Sequence, residues 1–221
     1  MTADRPLVAV LDYGIGNLRS AQKALQRMGA DARLTADRGV IAEAAGVVLP
    51  GVGAFGACAA ALRAAGLEEV ALDAVASGRP FLGICIGMQL LFERSEEDDA
   101  ATGLGVIPGV VRWIPPGVKR PQMQWNTLQL QRPDDPLFAG LGAEPWMYFV
   151  HSLHGVPDDP ALVAATCEYG TDLTAAIRQG NIFATRVKLA SSSRPAVPDF
   201  SGWNCVANTL PRRTAATSGP P

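Results

Sequence analysis

Histidine is almost missing from this chain. His151 and His154 are the only two, no histidine follows His154, and no glutamate follows Glu168. Four cysteines (Cys58, Cys85, Cys167, Cys205) lie far apart and form no CxxC. That spacing excludes a zinc ribbon and a disulfide framework, and it points to a reducing cytoplasm. Charge is sparse at 18% and nearly balanced, 19 basic against 21 acidic residues for a net of −2. Such a balance excludes a nucleic-acid binder driven by phosphate contacts. No apolar run reaches the roughly 18 residues of a membrane span. The opening MTADRPLVAVLDYG enters a strand at once, without the layout of a signal peptide.

What is present is core. Hydrophobic residues make up 48% of 221 positions. A chain of this length buries roughly 70–75% of its unfolded surface and needs no staple. Residues 7–13, LVAVLDY, form an apolar run without alternation, as in a parallel strand covered on both faces. GIGN follows as a turn. Residues 17–28 place Leu18, Ala21, Leu25 and Met28 on one helical face, with Gly29 at the C′ position. Strand (46–49), alanine-rich helical sequence (56–78), strand (80–84) and amphipathic helix (86–94) follow. Strands alternating with helices predict a mostly parallel sheet between two helical layers, one α/β domain whose ligands sit beyond the carboxyl ends of the strands. From about residue 103 the segments VIPGVVRWI, TLQLQ, WMYFVHS, ALVAATCEY, LTAAIRQ and NIFAT predict short strands of mixed or antiparallel sheet.

Chemistry concentrates in PFLGICIGMQLLFE, residues 80–93. A buried strand runs into Cys85, Gly83 and Gly87 stand two residues to either side, and a helix begins. This is a strand-turn-helix elbow with cysteine in the nucleophile's place. Small neighbours are required because a β-carbon at either flank would crowd the turn. The helix N-terminus supplies free N–H groups that favour a thiolate and hold an oxyanion. A second glycine-rich loop, Leu49 to Phe55 (LPGVGAF), follows another strand at the same sheet edge. Its Gly51, Val52 and Gly53 let a backbone N–H turn toward a neighbouring site.

These motifs together resemble the class I, triad-type glutamine amidotransferases. GICIGMQLLFE is similar to their nucleophile elbow and LPGVGAFG to their oxyanion loop. DYGIGNLRS, KRPQMQWNTL and YFVHS are similar to the glutaminase subunits of imidazole glycerol phosphate synthase, which serve histidine biosynthesis. The resemblance spans about residues 7–185. It implies that Cys85 attacks the side-chain amide of glutamine, that Gly51, Val52 and the Ile86 N–H hold the oxyanion, and that Gln89, His151 and Ser152 line the substrate site. It implies a cyclase partner built as a (β/α)8 barrel, reached by Asp12, Gly14, Asn17, Met123, Trp125 and Asn126 and fed with ammonia through a tunnel. No metal and no cofactor belong to this chemistry.

The chain departs from that family in four places. Leu153 replaces an aromatic residue after His-Ser, Gln122 replaces a histidine, and Gln124 replaces a glycine. Most consequential, NIFAT leads into RVKLASSSRP where the family carries His-Pro-Glu. A cysteine nucleophile needs a base and a proton donor, with a carboxylate to orient it. Both are missing after Thr185, and His151 and His154 lie on a different strand. The last 36 residues hold five prolines, five serines and one acidic residue. The reading is a domain over 1–185 and an atypical tail over 186–221, the latter explained by a frameshift near codon 186. Impaired turnover is expected. Two alternatives stay open: a non-catalytic subunit that binds a barrel partner, and a triad amidotransferase of another pathway.

Overall fold

The computed structural model describes residues 5–141 and 144–186. The first half alternates as the sequence predicts. Strands β1 (Leu7–Leu11), β2 (Asp31–Thr35), β3 (Gly46–Gly51) and β4 (Phe81–Cys85) are parallel neighbours in the order β2-β1-β3-β4. Helices α1 (Leu18–Arg27), α2 (Arg38–Glu43), α3 (Phe55–Ala64) and α4 (Glu68–Ala76) connect them. Successive residues of these strands feed opposite sides. Ala9, Leu11, Val47, Leu49 and Phe81 pack with α3 and α4, whereas Val8, Val10, Val48, Leu82 and Ile84 pack with Ala21 and Leu25 of α1. A parallel sheet covered on both faces leaves no strand position for polar residues, which explains the unbroken apolar runs.

Gly66, at φ +65°, splits the alanine-rich stretch into α3 and α4, as a C′ glycine does. The helix expected over 86–94 is shorter. Its helical part, α5, covers only Ile86–Gln89, and Phe92–Ser95 is strand β5. Residues 88–92 are buried all round, so periodicity carries no information there. The partners decide the outcome: β5 pairs with β6 (Asp98–Thr102) and with β7 (Ile107–Trp113). Strands β5 and β6 lie outside the sequence reading, as do β2, α2, β8 (Gln122–Thr127) and β11 (Leu153–Pro157).

The remaining strands are β9 (Gln129–Leu130), β10 (Trp146–His151), β12 (Val163–Glu168), β13 (Asp172–Gln179) and β14 (Ile182–Thr185). Strand β14 joins β4 in parallel, and β13, β12 and β9 extend the sheet antiparallel. Eight strands therefore stand in the order β2-β1-β3-β4-β14-β13-β12-β9. The rest forms a two-stranded sheet of β10 and β8 and a four-stranded sheet of β11, β7, β5 and β6. The fold is a mixed α/β domain with a central sheet flanked by helices. Residues 187–221, which make up all but the first residue of the tail read over 186–221, lie outside the described residues.

Candidate active site

Cys85 ends the fourth strand of a buried row, and its backbone sits at φ +57°, ψ −112°. Among the described residues it alone, glycines aside, has a positive φ. That conformation costs about 1–3 kcal/mol and persists only where surroundings over-determine it. The surroundings are visible. A β-carbon on Gly87 would press into the Leu49 carbonyl group, 2.7 Å from its carbon. One on Gly83 would stand 3.0 Å from the Gly87 carbonyl oxygen, and one on Gly51 would stand 2.9 Å from the Gly87 nitrogen. Three chain segments thus meet where only glycine fits. The helix after the elbow is one turn long, closed by Leu90 N–H donating to the Ile86 carbonyl at 2.8 Å. A single turn sums few peptide dipoles, so the contribution expected from the helix N-terminus shrinks to that of the local N–H groups.

In register, Gly51 of β3 lies beside Cys85, and Thr185 of β14 lies beside Ile84. The oxyanion-type loop and the residue after β14 therefore flank the cysteine from two sides. The loop is fixed by donors behind it. Tyr13 Oη donates to the Pro50 carbonyl at 2.6 Å, and Cys58 Sγ donates to the Val52 carbonyl at 3.2 Å. Burial pushes both the Tyr13 phenol and the Cys58 thiol upward, so each keeps its proton at neutral pH. Glu97 Oε2 accepts the Phe55 N–H at 2.7 Å, which ties the loop's far end to the β5–β6 turn.

These segments enclose a cavity of about 330 Å³. Gly51, Val52, Gly53, Cys85, Ile86, Gln89, His151 and Ser152 all line it. The sequence grouped these eight residues, and the fold brings them to one cavity. Asn17, read as a partner contact, lines the cavity too. The other members of that set do not. Met123 and Trp125 are exposed on β8, at 60% and 37%. The Trp125 and Tyr148 ring centroids lie 5.5 Å apart with the planes tilted by 56°. Asn126 spends its side chain inside the chain, donating to the Glu168 carbonyl at 2.6 Å and accepting the Thr127 N–H at 2.9 Å. Asp12 Oδ1 accepts the Gly14 N–H at 3.2 Å.

Among the lining residues that escaped the sequence reading are Glu97, Trp113 and Arg186. Glu97 sits in an acidic run, Ser95 to Asp99, that reads as a solvated helix end. Only the pairing of β5 and β6 turns it inward. Arg186 carried no signal. Directly after β14 its N–H donates to the Ala175 carbonyl at 3.0 Å, and the residue is 3% exposed. Burial lowers it to about 10, which leaves it charged at neutral pH. The same charge acts on both histidines. Burial first, then Arg186, pushes His151 down to about 3 and His154 to about 4. His151 Nδ1 lies 2.9 Å from the Leu153 carbonyl and must carry the proton, since a carbonyl only accepts. Its Nε2 is buried without a partner among the described residues.

The family defined as glutamine amidotransferase class-I matches residues 9–185 of the chain. The chain belongs to the class I glutamine amidotransferases. It is 46% identical over 217 residues to "Imidazole glycerol phosphate synthase subunit HisH" of Synechococcus elongatus, covering 97% of each protein. That match extends past Arg186. It is 48% identical over 189 residues to the protein of the same name from Syntrophotalea carbinolica, covering 81% of this chain and 90% of that one. Among solved structures, PurLQS from Thermotoga maritima superposes with a TM-score of 0.72 at 19% identity, over 94% of this chain and 98% of that one. A further amidotransferase crystal structure superposes with a TM-score of 0.69 at 21% identity, over 91% of this chain and 98% of that one. These last two likenesses establish the amidotransferase fold.

Proposed function

We propose that this chain is the glutaminase subunit of an imidazole glycerol phosphate synthase, with Cys85 as its nucleophile and with turnover curtailed by its departure after Thr185. The observation that carries this reading is the Cys85 elbow at φ +57°, set beside Gly51 at the mouth of a closed loop. In this reading Cys85 sulfur attacks the amide carbon of the glutamine side chain. The carbonyl oxygen gains the negative charge and takes N–H groups near Val52 and Ile86 as donors. The carbon–nitrogen bond breaks, nitrogen leaves as ammonia after gaining a proton, and water cleaves the thioester to glutamate. Glu97 faces the ligand's ammonium group. Asp12, Gly14, Asn17, Met123, Trp125 and Asn126 meet a (β/α)8 cyclase subunit, which consumes the ammonia in histidine biosynthesis.

Acid–base chemistry is the weak link. The cysteine must lose a proton and the departing nitrogen must gain one. Arg186 does neither at neutral pH, and His151, held near 3, carries no exchangeable charge there. Loss of the triad base costs ~10⁴-fold or more in turnover. The same facts favour a second reading, a non-catalytic subunit that binds the barrel partner and regulates or scaffolds it.

One experiment separates them. The chain is treated with a glutamine-derived chloroketone and the labelled residue is mapped by mass spectrometry. Glutamine hydrolysis and binding of the cyclase subunit are measured in parallel. Labelling at Cys85 with slow hydrolysis supports the first reading. Partner binding with neither labelling nor hydrolysis supports the second. Absence of all three overturns both.

A further inference from the structure

A buried guanidinium without a carboxylate is an expensive thing to keep. The side chain of Arg186 is almost wholly removed from water, it lines the cavity next to Cys85, and no ion pair among the described residues includes it. Among the described residues its side-chain partner is the Gln89 amide, whose oxygen, with the amide turned to satisfy the guanidinium, accepts from Nη1 at 3.1 Å and Nη2 at 3.3 Å. Among the described residues its buried Nε has no partner. An amide dipole satisfies two donors, and no described carboxylate compensates the charge. In a low-dielectric wall that leaves a standing demand for an anion.

We propose that the cavity is a carboxylate site, in which Arg186 holds the anionic side chain of an acidic amino acid such as glutamate beside Cys85. The inference rests on the reading that this cavity admits amino acids. The charges fit that ligand class. Glu97 and Arg186 supply the one carboxylate and the one guanidinium of the lining, and both histidines are neutral. A ligand with one ammonium and two carboxylates answers Glu97 with its ammonium and Arg186 with its side chain. Its α-carboxylate is left to backbone N–H groups around Ser152. Glutamine has the same shape but presents a neutral amide to the guanidinium. A carboxylate adds its own charge and accepts both Nη donors in parallel, whereas an amide oxygen brings only a dipole, so the acid is favoured by ~10-fold. Retention of the product-like acid then adds to what curtails turnover at Cys85.

The test is calorimetric titration of the full chain with glutamate and with glutamine, repeated for Arg186→Gln and Arg186→Lys. Protection of Cys85 from iodoacetamide is followed in the same samples. The expected result is glutamate binding ~10-fold tighter than glutamine, with Cys85 protected, the preference lost in Arg186→Gln and kept in Arg186→Lys. Should Arg186→Gln fail to fold by circular dichroism, the comparison of wild type with Arg186→Lys, both cationic, still shows whether acid is preferred to amide. Glutamine binding as tightly as glutamate to the wild type overturns the carboxylate assignment and leaves the proposed function standing. Binding of neither ligand, with Cys85 unprotected, overturns the amino-acid reading of the cavity itself.

Discussion

Gly51 and Cys85 stand side by side across β3 and β4, and each requires the other's backbone to be where it is. A β-carbon on Gly51 would meet the Tyr13 hydroxyl at 2.8 Å and Ile86 Cβ at 2.9 Å. The loop that supplies N–H groups and the turn that exposes sulfur are thus one packed unit. A change on either side propagates to the other.

Gly87→Ala tests that unit. Its methyl group would collide with the Leu49 carbonyl, and backbone yields less readily than a side chain. Destabilisation of about 2–3 kcal/mol is expected from such overpacking, read as a lower urea midpoint. Alkylation of Cys85 should slow with it. An unchanged midpoint would show that β3 moves aside freely.

Cys85→Gly should do the opposite to stability. Glycine adopts φ +57° without penalty, so strain of about 1–3 kcal/mol is released against about 0.4–1 kcal/mol of added unfolded-state entropy. A rise of ~1 kcal/mol is expected in denaturant titration, with loss of all labelling at this position. A fall in stability would mean that the thiol packs better than its geometry implies.

Acid should unfold the chain early. His151 and His154 have folded values near 3 and 4, well below the ordinary 6.5. The unfolded chain therefore binds more protons between those limits, and stability rises with pH there. It is complete above 6.5 and erodes as pH falls toward the folded values, by up to ~1.4 kcal/mol per pH unit for each group. Melting temperatures between pH 4 and 8 check this, and His151→Gln should flatten the slope.

Trp125→Ala probes the surface read as the partner contact. The indole is partly exposed and meets the Tyr148 ring at a tilt, so folding stability should change little. Association with a cyclase subunit should weaken by ~10–100-fold if the ring is an anchor, as measured by sedimentation or surface plasmon resonance. Equal affinity would remove β8 from the interface.

The coding DNA offers a check independent of protein chemistry. Read in another frame after codon 185, it is expected to encode a His-x-Glu followed by an apolar helical pattern. If no frame does, Arg186 and the residues after it belong to this protein by selection, and the carboxylate site gains weight.

Much of the architecture was legible because parallel strands buried on both faces write themselves as unbroken apolar runs, and β1, β3 and β4 all do. The elbow was legible for a similar reason. Glycines at 83 and 87 around a cysteine are a steric requirement that shows in sequence as spacing. The segment 88–92 was not legible, because residues buried on every side have no period, and strand pairing with β7 settled it. Nor was Glu97, whose acidic surroundings describe a surface until β5 and β6 fold it toward the cavity. Sequence alone fixed which backbone positions could be nothing but glycine and which sulfur they present. Tertiary structure alone decided what charge faces that sulfur: β14 lies beside β4, so the residue after Thr185 is driven into the cavity wall, and a position that reads as the start of a tail becomes a buried cation.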